Sequence, residues 1–460
     1  MSRYLLSFFF TILGWGTVAA QTSFPAEDSA AIRTIYDLEL VNGRVFTRLT
    51  QLCTNIGPRL SGSKNASAAV DWAQKQFNTV GLTHITRQRV AVPHWERGRS
   101  EVASFKTRGH ESLLNICALG GSIATPDSGL NANVLEVKDF DQLRALGKKV
   151  QGKIIFFDRP FDGRYFDTGK AYGYAVGQRV NGAAEAAKLG ALGVVVRSMT
   201  ELIDDYPHTG MMKYIEGVRQ IPACAVSTAG AQALSRALLA DPGLTLRMKL
   251  YCKTLPDITS YNLLGEIQGS DPHSTIILVG GHLDSWDLAQ GAHDDGAGVM
   301  QSLEALELLK RCGYNPRHTL RVVFFMNEEN GARGAAEYAR ASSLAGERYL
   351  AAIESDEGGF TPRGFVIASK PESLSKMIPW QELLRPYGSG WFKSSNEAGT
   401  DIEPLARMTI ALIGLMPDNQ RYFDVHHSAK DRIDTVNERE LKLGAASIAA
   451  LVYLIDKKGL

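Results

Sequence analysis

The stretch Thr275-Ile276-Ile277-Leu278-Val279-Gly280-Gly281-His282-Leu283-Asp284 decides the fold. Its opening run is aliphatic without alternation, as expected of a strand buried on both faces. Residues 297–310 then place apolar side chains at helical spacing, and Leu320-Arg321-Val322-Val323-Phe324-Phe325 is a second apolar run. Strand, helix and strand joined by short connections predict a parallel βαβ unit, hence an α/β domain. Residues 349–353 and 409–415 add two further buried strands.

Working outward, residues 29–40, 43–52 and 66–80 have helical apolar spacing, with Gly81 placed to end the last of them. Between them, residues 55–63 form a Gly/Pro/Ser-rich loop, and residues 84–93 alternate like a strand. From about 113 to 250 the text changes to short strands with turns, at 133–137, 153–157, 193–196 and 221–226, with short helices at 183–189 and 229–239. No cluster in this segment has metal or nucleophile spacing. It reads as an inserted β-rich domain without chemistry of its own. The expected division is a leader at 1–20, a first part at 21–110, the insertion at 111–255 and a catalytic part at 256–460.

The whole chain has 460 residues, 44% hydrophobic and 22% charged, with a formal net charge of +1. Near-neutral charge without a long basic run excludes nucleic acid as the main partner. Met1-Ser2-Arg3, an apolar run over 4–18 and Val18-Ala19-Ala20 before Gln21 read as a secretory signal, so the mature protein is expected to be secreted or periplasmic and off the membrane. Cys53, Cys117, Cys224, Cys252 and Cys312 lack paired spacing and read mainly as small buried hydrophobes. Asn65-Ala66-Ser67 has the pattern of a glycosylation acceptor.

The residues able to do chemistry gather at the predicted strand ends, where open α/β sheets form their sites. His282 and Asp284, two apart on an extended chain, face the same way. His282 is a candidate metal ligand whose ring Asp284 would orient. Gly291-Ala292-His293-Asp294-Asp295-Gly296 is a turn opening a helix, where an Asp can bridge two metal ions. After the next strand come Glu328-Glu329, whose side chains diverge, so one can bind metal while the other serves as general base. Asp356 follows a further strand, and His426-His427 lie near the C-terminus. Singly, an Asp-Asp or Glu-Glu pair is ordinarily a solvated surface feature. Together, imidazole and carboxylate without thiolate fit a hydrolytic zinc site.

At these residues the chain resembles the M28 family of zinc peptidases, over nearly the whole mature length. His282-Leu283-Asp284-Ser285-Trp286-Asp287, His426-His427-Ser428 and Cys53-Thr54-Asn55-Ile56-Gly57-Pro58-Arg59-Leu60 carry the likeness. The resemblance implies an α/β sandwich around a mixed, largely parallel sheet, with an inserted protease-associated domain. It implies two zinc ions per chain. His282 would bind one, Asp294 would bridge both, Glu329 would be a ligand, and Asp356 would join either His282 or His427. His427 is matched as the ligand because Asp431 follows at the family's offset, although Lys430-Asp431-Arg432 departs from the usual Gly-Asp-Thr ending.

Glu328 would act as general base on water between ions about 3.5–4 Å apart. His293, Thr400, Asp401 and Tyr422 are implied substrate contacts. Relatives of this subgroup act on dipeptides with free termini and form homodimers. The competing readings are an aminopeptidase of broader specificity, a single-zinc glutaminyl cyclase-like acyltransferase, and a non-catalytic receptor-like protein. The complete ligand set argues against the last two.

Overall fold

The computed structural model describes residues 25–107, 109–271 and 275–460. The expected leader at 1–20 lies outside the described residues. Among these, no helix is long and apolar enough to cross a membrane.

The βαβ reading holds. Strand Ile276–His282 runs parallel to Thr319–Phe325, with His282 paired to Phe325, and helix Gly298–Arg311 connects them. The main sheet has eight strands in the order Thr83–Glu96, Lys253–Ile267, Thr319–Phe325, Ile276–His282, Tyr349–Glu354, Thr409–Pro417, Pro362–Ser369, Trp391–Ser394. Its four middle strands are mutually parallel, and the strands flanking them pair antiparallel. All seven residues of Ile276–His282 are buried, which is why that run shows no alternation.

Helix Gly298–Arg311 is buried from Gly298 to Leu309, between the sheet and helix Glu438–Lys458. It therefore carries two acids into the interior, Glu304 and Glu307, which Arg48 meets at 2.5 Å each. Helix Glu438–Lys458 is itself buried from Gly444 to Asp456 and packs on helix Ala26–Asn42. There Asp28 accepts the Tyr453 hydroxyl at 3.0 Å and pairs with Lys458 Nζ at 2.6 Å.

A second eight-stranded sheet is built from residues between Val102 and Lys249. It starts ahead of the boundary expected at 111, because Val102–Thr107 pairs with His110–Leu114 and Thr245–Lys249. Nor is this segment simply β-rich. Leu130–Val137, Ile154–Phe157, Gly193–Arg197 and Ala223–Val226 run parallel, and helices Phe140–Leu146, Gly177–Lys188 and Thr228–Ala240 lie along the connections. Arg97 fastens this unit to the loop after His282, donating to both oxygens of Asp287 at 2.8 and 2.6 Å. Trp286 in that loop lies against Gly120, where a Cβ would stand 1.9 Å from the indole.

All five cysteines are free, four of them buried. Asn65 sits in the first turn of helix Lys64–Val80, and its amide donates to the carbonyls of Ile56 and Pro58 at 2.9 and 2.8 Å. Both amide hydrogens are thus committed to the loop before the helix, which disfavours Asn65 as a glycan acceptor.

Candidate metal centre

The four parallel strands deliver the predicted residues to one crest. His282 ends its strand, Glu328 and Glu329 follow Thr319–Phe325, Asp356 follows Tyr349–Glu354, and His427 lies ten residues past Thr409–Pro417. His282 Nδ1 lies 2.9 Å from the carbonyl oxygen of Asp284. A carbonyl only accepts, so the proton is on Nδ1 and the Nε2 lone pair faces the interior. That lone pair meets Asp294 Oδ1 and Asp356 Oδ1, each at 3.2 Å.

His427 repeats the arrangement. Its Nδ1 lies 3.3 Å from the Thr209 carbonyl, and its Nε2 faces Asp294 Oδ2 at 3.2 Å and Glu329 Oε2 at 3.1 Å. Asp356 therefore stands on the His282 side, a choice the sequence left open.

Two imidazole lone pairs directed at carboxylate oxygens repel unless a cation or proton lies between them. His282 Nε2, Asp294 Oδ2 and Asp356 Oδ1 are buried with no hydrogen-bond partner among the described residues. His282, Asp294 and Glu329 each bring a donor atom within 4.8 Å of the others. Burial opposes charge on His282, yet Asp356 and Asp294 outweigh it and lift its pKa well above the ordinary imidazole value. Burial raises Glu329 well above the carboxylate range, and Asp294 and Glu328 push the same way. The donor set of imidazole and carboxylate fits zinc, with Asp294 common to both triads.

Asp294 rather than Asp295 is free for this role. Asp295 spends its oxygens on the backbone N–H groups of His282 at 3.0 Å and Gly298 at 2.9 Å. His426 stacks on His427 with ring centroids 3.6 Å apart, and its Nε2 stands 3.6 Å from Asp294, farther than His427.

Asp284 acts differently from the expectation. The orienting bond on His282 comes from its carbonyl, while its carboxylate stands 4.0 Å from the ring. That carboxylate instead accepts the backbone N–H of Asn327 at 2.6 Å and of Glu328 at 3.3 Å. It thereby fixes a turn in which Asn327 takes a left-handed φ of 77°. Glu329 accepts the backbone N–H of Trp286 at 3.0 Å. Glu328 is partly exposed, and its carboxylate makes no hydrogen bond among the described residues. Burial pushes its pKa up to about 8; His282 pulls back, while Asp356, Asp294 and Asp284 add to the rise.

Of the implied substrate contacts, Thr400 is exposed and lines a cleft of about 630 Å³ beside Asp356. Asp401 is buried next to Glu354, to which its N–H donates at 2.9 Å. Tyr422 is buried with its hydroxyl 3.5 Å from the Asp356 carbonyl. His293 is wholly buried, stacked on Phe360 at 4.4 Å, and its Nδ1 accepts the Gly359 N–H. It sits in the scaffold rather than the cleft.

Three supporting roles escaped the sequence reading. Asp431 accepts the N–H groups of His293 and Asp294 at 2.6 and 3.2 Å. Thr209, from the second sheet's segment, clasps His427 twice, through the ring contact and by donating its N–H to the His427 carbonyl at 2.8 Å. That clasp holds His427 at a left-handed φ of 58°, so the segment expected to carry no chemistry does shape the site. Arg59, fully buried, donates to the carbonyls of Leu283, Gln290 and Gly291 at 2.5, 2.6 and 2.9 Å. It ties the His282 loop to the Asp294 turn. Replacing Arg59 with Met removes three hydrogen bonds to these carbonyls, leaving that of the buried Leu283 without its donor, and is expected to cost roughly 3 kcal/mol. Thermal melting of the metal-free protein checks this; an unchanged melting temperature would remove Arg59 from the account.

Comparison with known proteins agrees with this geometry. The profile described as Peptidase family M28 matches residues 262–452. Carboxypeptidase Q of Bos taurus is 35% identical over 90% of this chain and 85% of its own length, and the Homo sapiens protein has the same figures. Among solved structures, a peptidase M28 precursor from Shewanella amazonensis superposes with a TM-score of 0.89 at 32% identity, covering 94% of this chain and 97% of its own. A zinc aminopeptidase from Bacillus subtilis shares the fold at a TM-score of 0.62 and 19% identity, covering 90% of this chain and 95% of its own.

Proposed function

This chain belongs to peptidase family M28 and is a zinc metallopeptidase, and on that footing we propose that it is a two-zinc exopeptidase hydrolysing dipeptides and other short peptides. The observation that carries the reading is Asp294, whose two oxygens face one imidazole each at 3.2 Å. His282, Asp294 and Asp356 would hold one ion; His427, Asp294 and Glu329 would hold the other. Zinc bound there lowers the pKa of water and polarises a carbonyl oxygen.

The protein's own part centres on Glu328. Its unspent carboxylate takes the proton from the water that attacks the scissile carbonyl carbon. When the carbon–nitrogen bond breaks, the same carboxyl returns a proton to the leaving amine. Asp284 sets where this happens by holding the backbone of Asn327 and Glu328. Asp431 and Arg59 do the same for the Asp294 turn.

The relatives named carboxypeptidase Q support an exopeptidase, and the reading extends to substrates with free termini and to a homodimer. The leader pattern at 1–20 supports export to the medium or periplasm. The segment that forms the second sheet, between Val102 and Lys249, is read as a protease-associated insertion whose contribution to the centre is the Thr209 clasp.

The test is hydrolysis of a dipeptide panel by metal-analysed protein, with N-blocked and C-blocked versions beside the free ones. About two zinc ions per chain and cleavage of doubly free dipeptides alone are expected. Bound zinc without cleavage of any peptide would overturn the reaction.

A further inference from the structure

The cleft beside Asp356 carries a charge pattern that the hydrolytic reading leaves unused. Besides Asp356 it is lined by Glu354, Glu357, Glu397 and Glu403, and among the described residues no Lys, Arg or His lines it. An acidic rim alone says little, since such groups are commonly solvated. Glu354 is different. It is only 2% exposed; its Oε2 accepts the N–H groups of Asp401 and Ile402 at 2.9 and 3.0 Å, while its Oε1 has no partner among the described residues. Beside it, Asp401 is 1% exposed with both carboxylate oxygens unpartnered. A carboxylate oxygen buried without a donor is costly, and an entering cation with N–H groups removes that cost.

The rest of the lining narrows the ligand. Val366, Pro404 and Leu415 give the cleft apolar walls. An acidic end with apolar sides suits an alkyl stem carrying a charged head. The volume of about 630 Å³ far exceeds what a bare α-ammonium group fills. We infer that this cleft is a subsite for a cationic side chain, lysyl or arginyl, of the peptide substrate. The inference rests on the peptidase reading for the word substrate, but not for the binding itself.

Binding and turnover separate the two. Lysinamide and norleucinamide share a free α-amine and an alkyl stem and differ in the terminal charge. Calorimetry on the zinc-loaded protein is expected to show lysinamide binding about tenfold more tightly, from several partly screened ion contacts acting together. Glu397→Gln with Glu403→Gln, both at exposed positions, is expected to bring the ratio towards unity with zinc content unchanged. Glu403→Lys is expected to place norleucinamide ahead.

In hydrolysis, a Lys dipeptide should outrun its norleucine counterpart at one of the two positions and fall with the same variants. Equal affinity for the two amides in the parent protein, or a preference that the variants leave untouched, overturns the subsite. Discrimination between the amides without cleavage of any dipeptide leaves the subsite standing and overturns the peptidase reading. Cleavage of neutral dipeptides without discrimination overturns the subsite alone.

Discussion

Glu328→Gln is expected to keep its zinc and lose roughly 10²–10⁴-fold in kcat, the usual contribution of a general base. The substitution keeps size and hydrogen-bonding reach but removes the ability to take a proton. Retention of metal follows from the geometry, because the two triads are built from His282, Asp294, Asp356, Glu329 and His427. Folding should also be intact. The backbone of Glu328 stays pinned by Asp284 at 3.3 Å whatever the side chain. Burial raises the pKa of this carboxyl above the ordinary carboxylate range, with Asp356, Asp294 and Asp284 adding to the rise and His282 opposing it. Steady-state kinetics with metal analysis on the same sample decide the matter. A metal-replete Gln variant that turns over normally would move the base elsewhere.

Asp294→Ala is expected to do more, since it removes a ligand from both triads at once. Zinc content should fall from about two per chain to below about one. Activity should drop beyond the loss from Glu328→Gln. The thermal signature separates this from simple misfolding. A ligand present at a hundredfold excess over its Kd stabilises the parent by about 2.7 kcal/mol, and that zinc-dependent rise in Tm should vanish in the variant. The neighbouring Asp295→Ala breaks backbone contacts to His282 and Gly298 instead. It should lower the Tm of the metal-free protein itself. If Asp294→Ala still bound two ions, the shared-carboxylate arrangement would be wrong.

The legibility of this molecule divides along physical lines. Buried parallel strands show in sequence because both faces demand apolar residues, so Ile276–His282 and Thr319–Phe325 stood out. The strand Lys253–Ile267 did not, since its first seven residues are exposed. In the second sheet, helices Phe140–Leu146 and Thr168–Ala175 were missed because they are short and bury few residues. The candidate ligands were legible because each follows a readable strand. Their supports were not. Thr209 and Arg59 act on partners more than two hundred positions away, and a Thr carbonyl carries no signature in sequence. Asp284 was placed at the site, but whether its carbonyl or its carboxylate meets His282 is a matter of one backbone turn. Asp431 was noticed as a marker of His427, while its grip on the Asp294 backbone required the fold.

The burial of helix Glu438–Lys458 also sets an order in time. Its partners, Ala26–Asn42 and Gly298–Arg311, are synthesised long before it. Until residues 438–458 emerge, one side of the buried helix Gly298–Arg311 has nothing to cover it. The nascent chain then carries an uncovered apolar face that aggregation or a chaperone can seize. The loop joining residues 28 and 453 is long, but its closure costs grow only slowly with length, so completion should be abrupt once the helix is made. A message cut short before codon 438 would therefore yield a client for degradation rather than a smaller peptidase. Because the Asp294 turn leads into Gly298–Arg311, zinc capture should come after this closure.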